Sequence, residues 1–208
     1  MTEPNNIQSI IAAFDFDGTI TTHDSLLPFL RTVVGTTRFC LNLAKLIPIY
    51  MAYQLGTKNN HQAKQQLLHF FLQQQSYEQL LALGETFAQQ YIPQIIRPES
   101  LPRLRWHQAQ NHRCILVSAG LGIYLQPWAK SVGFDDLICT QVVVDANGFT
   151  NGDIDGVNCF GPEKVKRLTN MLGPKNQYTL YAYGDSRGDR ELLELADFKY
   201  YREMPRIL

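Results

Sequence analysis

The sequence predicts an α/β fold: a doubly wound parallel sheet with a block of helices inserted after its first strand. Three observations lead there. The apolar run Ile10 to Phe14 meets two carboxylates, Asp15 and Asp17, at its end, as a strand buried on both faces of a parallel sheet does. From Pro98 onward, apolar runs alternate with helical patterns, which implies parallel strands joined by crossover helices. Between Asp24 and Ile96 the sequence shows no strand signal, and an insertion of that length is usually functional.

The elements follow in order. Asp24-Ser25 offers a side-chain cap to a first helix carrying Leu26, Leu27, Phe29 and Leu30. Gly35 ends it, and Gly56 to Asn60 ends a second. Residues His61 to Leu72 place Ala63, Leu67, Leu68, Phe71 and Leu72 near helical spacing, and a fourth helix from Ser76 turns Leu80, Leu81, Leu83, Phe87 and Tyr91 inward. A helix from Glu99 to Asn111 leads to the strand Cys114 to Val117, which ends in Ser118. Another helix, Tyr124 to Val132, precedes the strand Leu137 to Val144. The turn Asp145 to Gly148 predicts a hairpin closing near Ile154. Pro162 opens a helix to Leu172, Tyr178 to Tyr183 is a strand running into Gly184-Asp185, and a helix through Ala196 and a last strand, Phe198 to Tyr201, complete the pattern.

Composition narrows the function classes. The chain has 208 residues, 45% hydrophobic and 18% charged, with 19 basic and 19 acidic side chains. This balance lacks the basic excess of a nucleic-acid-binding surface, so no nucleic-acid partner is expected. Cys40, Cys114, Cys139 and Cys159 are scattered and form neither a zinc pattern nor a disulfide framework. With a polar N-terminus that has no apolar signal core, they predict a reducing, cytoplasmic location. The apolar stretch Phe39 to Leu55 is too short to span a bilayer and holds Lys45 and Pro48. It reads instead as a buried helix or as one lying on a membrane surface. Asn151 to Gly156 begins like a calcium loop, but its twelfth position is Pro162, so it reads as a hairpin end. The histidines show no metal spacing, and only His23 lies near the acids, as an exposed loop residue.

Taken one at a time, the polar groups at the strand ends have plain structural readings. Asp15 to Gly18 makes a turn, Ser118 caps a helix, Lys164 is a solvated lysine and Asp189 complements a helix dipole. Their combination is more specific. Three apolar strands end in groups that suit phosphoryl transfer with a hard cation. Asp15 and Asp185 can supply the one or two carboxylates that Mg²⁺ prefers. Ser118, the helix N-terminus after Ala119-Gly120, and Lys164 can donate to phosphate. A carboxylate serves as a covalent nucleophile for phosphate, and a second acid two residues on can protonate the leaving alcohol and then activate water.

These residues resemble the motifs of the haloacid dehalogenase superfamily, in order and across almost the whole chain. The likeness runs through DxDGT at Asp15 to Thr19, a strand ending in Ser118, Lys164 at a helix start, and GDxxxD at Gly184 to Asp189. A helical insertion after the first motif resembles the C1 cap of the phosphoserine phosphatase-like branch, and the tail AYGDSRGDRELLELAD resembles subfamily IB hydrolases. The resemblance implies a Rossmann-like core of residues 1–23 and 97–208 with a helical cap of residues 24–96. It implies a phosphomonoester hydrolase with Asp15 as nucleophile and Asp17 as general acid and base. Mg²⁺ would be held by Asp15, Asp17 through its backbone carbonyl and Asp185, with Asp189 in its shell or just behind it. Ser118, Ala119 and Lys164 would hold the phosphoryl group.

Two positions depart from phosphoserine phosphatases. Gly188 stands where an asparagine usually precedes the last acid, and Asp24 where a glutamate binds the substrate amine. Both argue against phosphoserine, although phosphoserine phosphatase proper stays an alternative, as does a phospho-accepting receiver-like domain. The substrate expected is a small phosphorylated metabolite or a lipid head group, with peripheral membrane contact left open. The apolar side chains of the insertion, Leu26, Leu27, Phe29, Leu43, Leu46, Ile47 and Ile49, are read first as packing the cap's own core and second as a wall for a lipid phosphate.

Overall fold

A computed structural model describes residues 9–205; the polar start of the chain before Ser9 lies outside them. In chain order the elements are β1 (Ser9–Phe14), α1 (Leu26–Val34), α2 (Thr36–Lys45), α3 (Ile47–Gln54), α4 (Asn60–Leu72), β2 (Gln75–Ser76), α5 (Tyr77–Gln90) and α6 (Ser100–Ala109). They continue with β3 (Arg113–Leu121), α7 (Gly122–Val132), β4 (Asp136–Val144), β5 (Phe149–Asp155), α8 (Pro162–Leu172), β6 (Tyr178–Gly184), α9 (Arg190–Leu195) and β7 (Phe198–Tyr201).

The sheet runs β2-β5-β4-β3-β1-β6-β7. The five strands β4, β3, β1, β6 and β7 are parallel, and the first strand of the sequence lies in the middle. Residues of β1 alternate between two cores. Ala12 and Phe14 pack with α6 and α7, while Ile11 and Ala13 pack with α8 and α9. A strand covered on both faces must be apolar throughout, which is why Ile10 to Phe14 has no polar position.

The sheet is not parallel throughout. β5 turns back antiparallel to β4, as a hairpin requires, and the insertion contributes β2, antiparallel to β5. Two residues carry no periodicity, so β2 leaves no mark in the sequence. β3 also runs on past Ser118 to Leu121 instead of ending there, with an irregular register against β4 between Val117 and Leu121.

In the insertion, Asp24 rather than Ser25 caps α1, its Oδ1 accepting from the N–H groups of Leu26 (3.0 Å) and Leu27 (3.2 Å). Asn59 and Gln62 form a reciprocal capping box at α4. The stretch Phe39 to Leu55 is neither one helix nor buried. It breaks at Leu46, and Pro48 sits in the first turn of α3, where its missing N–H costs nothing. Of its large apolar residues Leu46 is buried, whereas Leu41, Leu43, Ile47, Tyr50, Met51 and Leu55 are exposed. Leu81 likewise faces outward. Among the described residues no helix is long and apolar enough to cross a membrane.

Beneath the sheet a buried polar cluster ties α6 to β6. Tyr183 stacks on Phe14 at 4.4 Å, and its hydroxyl meets Arg103 Nε (2.7 Å) and His107 Nε2 (2.8 Å). His107 Nδ1 lies 2.8 Å from His112 Nδ1. Burial, then Arg103 and His112, push the His107 pKa down from 6.5 to about 3. Its folded pKa is below its unfolded one, so the unfolded state binds more protons and stability falls as pH drops through 6.5. This group alone should cost about 2 kcal/mol between pH 7 and 5. Urea denaturation at the two pH values should show that loss in the wild type and a smaller one in His107→Gln; equal slopes would exclude His107 as the source.

Candidate functional site

β1 ends at Phe14, and the chain turns where the two acids stand. The N–H groups of Thr19, Ile20 and Thr21 converge on the Phe16 carbonyl at 3.2, 2.8 and 3.0 Å. Gly18 takes φ +80°, and a Cβ there would lie 2.3 Å from Asp185 Oδ2. Only glycine therefore lets this turn close against the end of β6. Asp15 is still on the sheet, its N–H donating to the Tyr183 carbonyl at 2.9 Å. Asp17 has left it, and its Oδ1 accepts from the Ser25 N–H at 2.8 Å. The turn thus gives two neighbouring acids different partners while both line one cavity.

Lys164, on the first turn of α8, is 2% exposed, and its Nζ donates to Asp15 Oδ1 and Asp189 Oδ1, each at 2.6 Å. Burial alone would lower its pKa, but the two carboxylates override that and hold it above the usual lysine value. Asp189 is fully buried. Its Oδ2 accepts from the N–H groups of Asp185 (3.2 Å) and Ser186 (3.0 Å) and from Ser186 Oγ (2.9 Å). Burial pushes Asp15 up to about 6, with Lys164 pulling down and Asp189 pushing up. Asp17 is pushed up to about 8, chiefly by burial and next by Asp24, so its carboxyl is largely protonated at neutral pH. Asp185 is half-buried, its pKa raised by burial and by Asp189, and it accepts a long hydrogen bond from Thr19 Oγ1 at 3.5 Å.

One carboxylate oxygen from each of Asp15, Asp185 and Asp189 lies within 4.8 Å of the others. This all-oxygen set fits a hard divalent cation. The Asp17 carboxyl is not in this group. Ser118 is buried in β3, its Oγ accepting from the Gly120 N–H at 2.9 Å. Ser118, Ala119 and Lys164 open on the same cavity as the acids, as does Asp24 beside its capping role. The structure therefore brings together Asp15, Asp17, Asp24, Ser118, Ala119, Lys164 and Asp185, with Asp189 directly behind Lys164.

The departure at Gly188 has a packing cause. A Cβ there would lie 2.4 Å from the Phe160 ring, so a side chain at this position would displace the aromatic that lines the cavity. Gly161 N–H donates to the Gly188 carbonyl at 3.0 Å, tying the start of α8 to the loop that carries Asp189.

Lys64 on α4 was not visible as a site residue in the sequence. Its Nζ donates to the Ala119 carbonyl and to Asn158 Oδ1 (3.0 Å). Burial lowers its pKa to about 8, against the pull of Asp17 and Asp24. Its partners lie 55 and 94 residues away, so no local spacing could reveal it. His23 is on the cavity wall, 3.3 Å from the Tyr91 hydroxyl.

The cavity, about 950 Å³, has one polar end made by the strand termini and apolar walls made by the insertion. Leu26, Leu27, Leu43, Leu46, Ile47, Ile49 and Leu67 line it. The preferred reading of those side chains as the cap's own core holds for Phe29, which is fully buried, but not for Leu43 and Ile47, which are 41% and 60% exposed.

Comparison with known proteins places this geometry. The family model described as haloacid dehalogenase-like hydrolase matches residues 12–194. Protein CicA of Caulobacter vibrioides is 34% identical over 202 residues, covering 97% of this chain and 90% of that one. A solved protein of unknown function from Bordetella pertussis Tohama I is 26% identical with a TM-score of 0.77, covering 89% of this chain and 86% of the other. A phosphoserine phosphatase, solved as a phospho-aspartyl intermediate analogue, shares the fold at 15% identity and TM-score 0.61, over 93% of this chain and 86% of its own. With the family match spanning both acid-bearing strand ends and the lysine between them, the chain belongs to the haloacid dehalogenase-like hydrolases.

Proposed function

We propose that the protein is a Mg²⁺-dependent phosphatase that hydrolyses a phosphomonoester through an aspartyl-phosphate on Asp15. The observation that carries this reading is the separation of two acids one residue apart. Asp15 shares a buried ammonium with Asp189, while Asp17 is turned onto the Ser25 N–H in the same cavity. In the first step an Asp15 oxygen attacks phosphorus, the ester P–O bond breaks, and Asp17 gives its proton to the leaving alcohol. In the second, Asp17 takes a proton from water, the water oxygen attacks phosphorus, and the bond to Asp15 breaks to release phosphate. Ser118, the Ala119 N–H and Lys164 hold the phosphoryl oxygens.

Asp15, the Asp17 carbonyl and Asp185 would hold Mg²⁺. Asp189 stands behind them, because four donors already occupy its oxygens. When bound, the ion would neutralise phosphoryl charge and orient the group for in-line attack. In this reading residues 1–23 and 97–208 form the catalytic core, and residues 24–96 a cap that selects a small metabolite or a lipid head group. The free thiols, three of them buried, fit a reducing cytoplasm. Apolar walls and an Asp24 engaged in capping α1 favour this over phosphoserine as substrate. A receiver-like role is disfavoured by an acid at Asp17 placed to serve hydrolysis.

Asp15→Asn should lower turnover of p-nitrophenyl phosphate by more than about 10³-fold, and chelation should abolish wild-type turnover until Mg²⁺ is returned. Full activity in the variant, or a stable phosphoprotein without turnover, would sink the assignment. Lys164→Met leaves buried carboxylates uncompensated and should cost about 3–5 kcal/mol in urea denaturation at neutral pH. The deficit should shrink in acid, where the carboxylates protonate; a pH-independent deficit would point to lost packing instead.

A further inference from the structure

α2 and α3 carry large apolar side chains that are left exposed. Ile47, Met51 and Leu55 recur every four residues, so they form one ridge along α3, and they are 60%, 50% and 74% exposed. Leu41 on α2 is 61% exposed. α3 is built from Ile, Pro, Tyr, Met and Ala with a single Gln, so it has no polar face to turn to water. A helix apolar all round is ordinarily buried. Here the exposed side adjoins the entrance to the site, because Ile47 begins the ridge and also lines the cavity that ends at Asp15.

Charge supplies the second observation. From Ser25 to Tyr77 the chain contains no aspartate or glutamate and five lysines and arginines. The whole protein has equal numbers of each sign, so the stretch from Ser25 to Tyr77 is cationic and the rest of the chain is acidic by the same amount. Arg38 and Lys45 are exposed on α2, the helix that leads directly into α3. Apolar side chains flanked by cations, with no anion among them, match an anionic lipid surface: the apolar groups enter the acyl boundary and the cations meet the head groups. An acidic protein would be met by the cations but would leave the ridge without a partner.

We propose that α2 and α3 dock the enzyme on an anionic bilayer and that the cavity takes a lipid phosphomonoester from it, the phosphate reaching Asp15 while the chain lies against the apolar wall. The substrate part rests on the phosphatase reading; the docking does not.

The test is flotation of the full chain with vesicles of phosphatidylcholine alone or mixed with phosphatidylglycerol. The protein should float with the mixed vesicles, not with the neutral ones, and raised salt should release it. Met51→Glu with Leu55→Glu, at positions outside the cavity, should abolish flotation while leaving thermal stability and p-nitrophenyl phosphate turnover unchanged. Arg38→Glu with Lys45→Glu should weaken it by about tenfold or more. Asp15→Asn protein should float normally. In a series of alkyl phosphates, kcat/KM should rise by about fourfold for each methylene that reaches the apolar wall. Flotation that is absent, or indifferent to these substitutions, overturns the docking. So does a dimer in solution that the Met51 and Leu55 changes dissolve, since a second copy would then cover the face. A flat alkyl series overturns the lipid substrate. Loss of all phosphoester turnover with flotation intact would instead strike only the phosphatase reading.

Discussion

Asp15, Asp185 and Asp189 crowd the carboxyl end of this sheet, and one buried ammonium makes the crowding tolerable. Lys164 joins Asp15 to Asp189, and its charge pulls the Asp15 pKa down against burial and against Asp189. Its Nζ lies 2.6 Å from each carboxylate. The arrangement depends on two loops meeting. Gly161 reaches the Gly188 carbonyl, which brings the first turn of α8 over the loop after β6, and Asp189 in turn closes that loop by accepting from Asp185 and Ser186. The lysine is thus positioned by backbone hydrogen bonds, and it opposes the burial that raises the pKa of Asp15.

What could be read from the sequence follows from the range of the forces involved. Burial on both faces imposes a nearly unbroken apolar run, so β1, β3 and β6 were visible, while the last strand, largely exposed at the sheet edge, was placed to the residue by its aromatic composition. Capping is local, so the starts of α1, α4 and α5 were visible too. The grouping of the candidate residues was legible because a parallel sheet must gather the ends of neighbouring strands at one edge, and β3, β1 and β6 are adjacent. What escaped is long-range or collective. The docking of β2 on β5, the reach of Lys64 to Ala119 and the pressure of Phe160 on Gly188 join segments with no sequence relation. Of the two readings of Phe39 to Leu55, a buried helix or one lying on a membrane surface, the buried one failed because an apolar run states only a preference. Where no other element lies over it, as with α3, that preference goes unmet within the chain.

The helical insertion is not a passive lid over these acids. Asp17 accepts a hydrogen bond from the N–H of Ser25, the residue that leads into α1, and Ser25 Oγ in turn bonds the Tyr124 hydroxyl on α7 at 3.0 Å. Asp24, next to Ser25, both caps α1 and raises the pKa of Asp17. From the other side Lys64 pulls on Ala119, next to Ser118, and on Asn158, which also holds Asn60 at the start of α4.

The proposed reaction therefore divides between two bodies of the fold along its two acids. The environment of Asp15 is set by the sheet, by Lys164 on α8 and by Asp189 in the loop after β6, none of which belongs to the insertion. The environment of Asp17 is set at the junction where the chain leaves the sheet for α1. Removing the Ser25 N–H, or admitting water beside it, would change both its orientation and its proton affinity. A nucleophile fixed by the rigid sheet and a proton donor tuned by the junction make the second acid the one that can register how the insertion sits, and Gly18 is the hinge point that permits the two to differ.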